Sequence, residues 1–146
     1  MTNIITDIKK KILFNYTIDE TYESGIILKT WEIKSIKKNG FNITCSYINI
    51  SNNACFLINS HIKPIRYEFK IHEFDEKRTR ELLLKKKEIN YLYGRSKIKN
   101  LTIIPSKIYW KHNFIKLEIH LCSGKRKYDK RQELKIKEDN KSNLPE

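Results

Sequence analysis

One stretch constrains the fold more than any other. Ile115, Leu117, Ile119 and Leu121 alternate with Lys116, Glu118 and His120. A period of two puts the apolar residues on one side of an extended chain and the polar ones on the other. The stretch therefore predicts a strand with one buried face. Similar patterns recur. Ile12, Phe14, Tyr16 and Ile18 alternate with polar or mixed residues, and Phe41, Ile43, Cys45 and Tyr47 alternate with Asn42, Thr44 and Ser46. Ala54, Phe56 and Ile58 follow Ser51-Asn52-Asn53, a turn suited to a hairpin. Ile104, Ile108 and Trp110 are expected on one face of the strand before Ile115, with a turn near His112-Asn113. Gly25 to Lys29 reads as a short apolar strand.

Two helices interrupt the strands. The first is predicted over about Trp31 to Lys38, with Thr30 as N-cap and Gly40 closing the end. The second is predicted over about Glu76 to Tyr93, with Asp75 as N-cap and Gly94 just past its end. Leu82, Ile89, Leu92 and Tyr93 form its apolar stripe, and Leu83 lies off it. Six or so strands with short turns predict a mainly β fold, an antiparallel sheet closed or nearly closed into a small barrel that hides its edges. Residues 1–131 are expected to form this single domain. Gln132 to Glu146, almost free of apolar residues, is expected to be a disordered, flexible tail.

Charge narrows the function. Lys and Arg number 30 against 17 Asp and Glu, a formal net charge of +13. Self-repulsion of that size in a compact domain suits a polyanionic partner, nucleic acid before an anionic membrane, because the cations are spread along the chain and peak in a loop near the C-terminus. No window approaches the roughly 18 apolar residues of a membrane span. Met1 to Lys10 lacks the apolar core of a signal peptide, so a cytoplasmic location is expected. Cys45, Cys55 and Cys122 have no CxxC spacing and read as small core residues. His61, His72, His112 and His120 form no HxH or HExxH pattern. No phosphate-cradling or nucleophile motif occurs, so neither a metal nor a cofactor nor a small-molecule substrate is expected.

Two basic stretches stand out. Gly124 to Arg131 packs five cations around Tyr128 and one acid, Asp129. Cations neutralise phosphates with counterion release, and a tyrosine face stacks on bases. Arg78-Thr79-Arg80 opens the second predicted helix. Arginines there oppose the helix dipole unless an anionic partner answers them, which makes Arg78 and Arg80 candidate RNA contacts.

At these residues the chain resembles the small protein B family (SmpB, the SsrA-binding proteins). The matching runs are Thr21 to Ile26, Trp31 to Ile36, Phe56 to Asn59, His61 to Pro64, Arg78 to Leu84, Tyr109 to Lys111, and Gly124 to Arg131. The resemblance implies an oligonucleotide-binding-type closed antiparallel β-barrel with two or three flanking helices and no enzymatic activity. It implies binding to the tRNA-like domain of transfer-messenger RNA (tmRNA) in trans-translation. In that process the protein stands in for a tRNA anticodon arm in the decoding centre of a stalled ribosome. Glu23, Leu83 and Lys116 match positions that contact tmRNA. Gly124, Lys125, Lys127, Tyr128, Asp129, Lys130 and Arg131 match the stretch that faces rRNA of the decoding region. Two departures are visible: residues 63–76 lack the family's Gly-Asn and Asp-Pro elements, and the tail is shorter and less basic. Beside this reading stand two others. One is another barrel-type translation factor or ribosome-binding protein. The other is a small nuclease whose carboxylates meet only in space.

Overall fold

The computed structural model describes residues 3–65 and 75–124. Strand β1 (Asn3–Asp7) is followed by helix α1 (Lys9–Asn15), strand β2 (Tyr16–Ile26) and helix α2 (Thr30–Asn39). Strands β3 (Tyr47–Ser51), β4 (Ala54–Ile58) and β5 (Arg80–Leu83) come next. Helix α3 (Lys86–Ser96) then precedes the long hairpin of β6 (Leu101–Lys111) and β7 (Phe114–Gly124). Among the described residues the strands form one seven-stranded antiparallel sheet, in the order β1-β6-β7-β2-β5-β4-β3.

The alternation in β7 sets the core. Leu117, Ile119 and Leu121 are fully or almost fully buried, and they face Ile103 and Ile108 of β6 and Leu82 of β5 in one cluster. Each such side chain contributes about 1.5–3 kcal/mol by leaving water. Cys55 and Leu57 of β4, Ile36 of α2, and Ile89 and Leu92 of α3 close the cluster. Both hairpins turn through two residues with positive φ, Asn52 and Asn53 (50° and 63°) and His112 and Asn113 (50° and 67°). That geometry matches the twist of antiparallel strands, and short polar side chains tolerate it where glycine is absent.

Several expectations need correction. The sheet is not closed into a barrel: β1 and β3 are its edges. The physical reason lies in residues 41–46, expected as a strand. Asn42 forms only an isolated bridge with His61, its side chain accepts the Thr44 amide, and the Ser46 hydroxyl donates to Ile43 O. Backbone held in such local turns has no ladder to offer β1. Thr6 Oγ1 of β1 donates instead to Phe41 O (2.7 Å), in the segment that precedes β3.

The residues from 12 to 18 do not form one strand. Residues 9–15 are α1, with Ile12 buried and Leu13 exposed, and β2 begins at Tyr16. Gly25 and Ile26 are the end of β2 rather than a separate strand. Ile104 does not share a face with Ile108 and Trp110, because the register shifts between Pro105 and Lys107. One extra residue in a strand reverses the facing of everything beyond it.

The predicted helix over Glu76 to Tyr93 is two elements. Residues 80–83 are β5, with Arg80 and Leu82 inward and Leu83 outward; α3 starts only at Lys86, where Glu88 Oε1 accepts the Lys85 amide. Tyr93 is exposed, and Gly94 lies inside the helix. Helix α2 appears as expected, one residue early. Its cap is Lys29, whose amide donates to Glu32 Oε1 (2.7 Å), and the Gly40 amide closes on Ile36 O. Cys55 and Cys122 are core residues, whereas Cys45 is exposed.

Candidate nucleic-acid interface

The register of the central strands brings distant residues into one row. Leu83 of β5 pairs with Gly25 of β2, Gly25 with Lys116 of β7, and Lys116 with Tyr109 of β6. These four lie across the sheet on the face opposite the core. Glu23, two residues before Gly25 on β2, points to the same face in the next row. The sequence candidates Glu23, Leu83 and Lys116 are therefore neighbours, although 93 positions separate the first from the last. Leu83 is 55% exposed, an apolar side chain held out of the core by the period of β5. Gly25 lets it lie close: a Cβ at position 25 would sit 3.2 Å from Leu83 Cβ.

Glu23 is held in place rather than loose. The Tyr109 phenol donates to Glu23 Oε2, and Lys111 Nζ donates to both carboxylate oxygens at 3.3 and 3.2 Å. The Tyr109 hydrogen bond, then Lys111 and the field of Lys116, keep the carboxyl ionised below its ordinary pKa. Its side chain remains 39% exposed. The surface thus presents an ionised acceptor, two cations, an aliphatic contact and an aromatic ring on one rigid sheet. Tyr109, Lys111 and Phe114 were not among the sequence candidates. Their signal was present: once the turn is placed at His112-Asn113, residues 109, 111, 114 and 116 fall on one face.

Arg78 and Arg80 behave otherwise. Neither opens a helix, and Arg80 is fully buried. Its Nε donates to Glu32 Oε2 at 2.8 Å, its Nη1 to Ser60 Oγ at 2.8 Å, and its Nη2 to Glu76 O at 3.2 Å. Arg78 Nη2 reaches Glu32 Oε1 at 2.6 Å from a partly exposed position. Burial by itself would raise the pKa of Glu32. The Arg78 hydrogen bond, the Lys29 amide and Arg80 outweigh it and hold the carboxyl low. The anion that answers these arginines is inside the protein.

A second polar group is centred on His120 of β7. His120, expected on a solvated strand face, is fully buried. Its Nε2 lies 2.6 Å from Ser106 Oγ and 3.2 Å from Glu118 Oε1, and its Nδ1 lies 2.9 Å from Thr21 Oγ1. Ser106 also donates to Glu118 O (3.4 Å). One pattern satisfies every group: Nε2–H donates to Ser106 and Glu118, and the Thr21 hydroxyl donates to Nδ1. Burial lowers the His120 pKa, consistent with this neutral ring. The bulge that carries Ser106 also accepts the Ile8 amide at the start of α1 (2.8 Å).

Gly124 ends β7, where its amide donates to Asn100 O. Lys125, Lys127, Tyr128, Asp129, Lys130 and Arg131 lie outside the described residues. Among the described residues no group of three or more His, Cys, Asp and Glu is placed to hold a metal ion, and no helix is long and apolar enough to cross a membrane.

The SmpB protein family model matches residues 7–144. An SsrA-binding protein of Gloeothece citriformis is 43% identical over 94% of this chain and 88% of its own length. One from Mycoplasma mycoides subsp. mycoides SC is 41% identical over 92% of this chain and 91% of its own. A solved structure described as "tmRNA-SmpB: a journey to the center of the bacterial ribosome" contains a chain 32% identical to this one. It covers 90% of this chain and 92% of that one, with a TM-score of 0.63. With a match over nearly its whole length and an exposed sheet face on which its recognition candidates converge, the chain belongs to the SmpB protein family.

Proposed function

We propose that this protein binds tmRNA and acts with it in trans-translation, a binding partner and not an enzyme. Its site of action is the cytoplasm, on ribosomes stalled without a stop codon. The observation that carries this reading is the convergence of Glu23, Leu83 and Lys116 on one exposed sheet face in a chain matched to the SmpB family over residues 7–144. Unstacked bases of RNA loops are read by apolar contacts and by acceptors and donors at their edges. Leu83 supplies the first, Glu23 accepts from base amino groups, and Lys116 with Lys111 answers phosphates. Arg78 and Arg80 serve the site from behind: through Glu32 they tie β5, which carries Leu83, to α2.

The stretch from Gly124 to Arg131 takes the second role and faces rRNA of the decoding region, with Tyr128 stacking on a base and Lys125, Lys127, Lys130 and Arg131 answering phosphates around Asp129. The test is capture of the protein from its own cells and sequencing of the RNA that comes with it. Enrichment of tmRNA is expected; ribosomes without tmRNA would favour a different translation factor. Neutralising Lys130 and Arg131 is expected to stop peptide tagging while tmRNA affinity stays near that of the unaltered protein. Equal loss of both would collapse the two surfaces into one.

A further inference from the structure

Phe114 is the most exposed of the large hydrophobic side chains among the described residues, at 67%. It stands on β7 just after the 112–113 turn, two residues from Lys116 and on the same face. Leaving a phenylalanine in water forfeits the stabilisation that burial would bring. Beside it opens a groove of about 210 Å³ lined by Gly25, Ile26, Leu83, Trp110, Phe114 and Lys116, among others. The groove is bordered by Leu83 and Lys116, both proposed to contact RNA. The absent side chain at Gly25 keeps its wall low between Leu83 and Lys116. Lys116 Nζ lies 5.9 Å from the centroid of the Phe114 ring, so a cation stands next to the aromatic face.

We infer that Phe114 is a stacking platform for a single unstacked base of the bound RNA, which seats in the groove between its ring and Leu83 while Lys116 takes the adjoining phosphate. This rests on the RNA-binding reading above and specifies how that site takes a base. Charge complementarity and continuity with the Glu23–Lys116 surface favour RNA as the occupant. A ring is sequence-tolerant, since every base has a π-face.

The test uses the full chain and a transcript of the tRNA-like domain. Phe114→Ala is expected to weaken binding by about fivefold to a hundredfold, the range that loss of one base–aromatic stack produces. Phe114→Leu, apolar but without a ring, should lose nearly as much, and Phe114→Tyr should bind like the unaltered chain. In Phe114→Trp, fluorescence at the new indole should be quenched on adding the transcript, after subtraction of the signal from Trp31 and Trp110. Unchanged unfolding midpoints are expected, because the side chain is outside the core. If Phe114→Ala binds within twofold of the unaltered chain, the inference falls and the tmRNA reading stands. If the unaltered chain fails to bind the transcript, both fall. An indole that responds to anionic phospholipid vesicles and not to RNA would also overturn it.

Discussion

Two clusters in this molecule use the same chemistry to opposite ends. Glu32 with Arg78 and Arg80, and Glu23 with Lys111 and Lys116, each set one carboxylate among cations. The Glu32 and Arg80 side chains are fully buried, whereas Glu23 and Lys111 keep 39% and 45% of their side-chain surface. A buried pair must satisfy its hydrogen bonds internally, and Arg80 does so through Glu32, Ser60 and Glu76. An exposed group held by only a few partners retains lone pairs and charge for an incoming molecule. Solvent access, more than residue type, separates a charge that builds the protein from one that can recognise a partner.

Breaking the buried cluster should give the largest effect. Glu32→Ala leaves Arg80 buried and unpaired, and is expected to cost about 3–5 kcal/mol in urea unfolding. A loss below about 1 kcal/mol would mean that water reaches the cluster and that the contrast is overstated. Arg78→Ala removes a partly exposed partner while Arg80 still pairs Glu32, so about 1–2 kcal/mol is expected from the same measurement.

Acid should discriminate the clusters further. Glu32 has a lowered folded pKa, so its contribution is present above the unfolded value of about 4.3 and is lost as pH falls through the folded one. Buried His120 also has a lowered pKa, so the unfolded chain gains a proton first, and stability should already decline as pH falls below about 6.5. Urea midpoints between pH 7 and pH 5 should drop in the unaltered chain and stay flatter in His120→Gln. Parallel curves would remove His120 from the account.

The smallest stability change is expected at the exposed cluster. Lys116→Ala should alter unfolding by no more than about 0.5 kcal/mol. Its effect belongs to RNA affinity, where the slope of log affinity against log salt should become shallower by about 1. A stability loss as large as that of Arg78→Ala would erase the difference between the two regions.

Much of this was legible in the chain. The β7 alternation, both hairpin turns and the end of α2 at Gly40 follow from local rules of period and backbone conformation, and the structure has them where the residues predict. Arg78 to Leu84 was not legible. Its composition suits a helix, yet β5 forms because Arg80 finds Glu32 of α2 and Ser60, partners 48 and 20 positions away. His120 departs from expectation for the same reason: alternation marks it as polar and therefore outward, but it is fully buried and bonded to Thr21 and Ser106, 99 and 14 positions away. Barrel closure failed for a local reason, the side-chain-bonded turns of residues 42–46, which a period-two pattern does not reveal.

By itself, then, the sequence determined the strand-rich architecture and the excess of cations, and its motifs named Glu23, Leu83 and Lys116 as candidates. Only the tertiary structure decided which charges are spent inside and which stay outside, that Leu83 and Lys116 meet across Gly25, and that Phe114 stands open beside them. Local period and turn chemistry act over a few residues and can be read along the chain. Burial and pairing depend on register between strands far apart in sequence, which is settled only when the core packs.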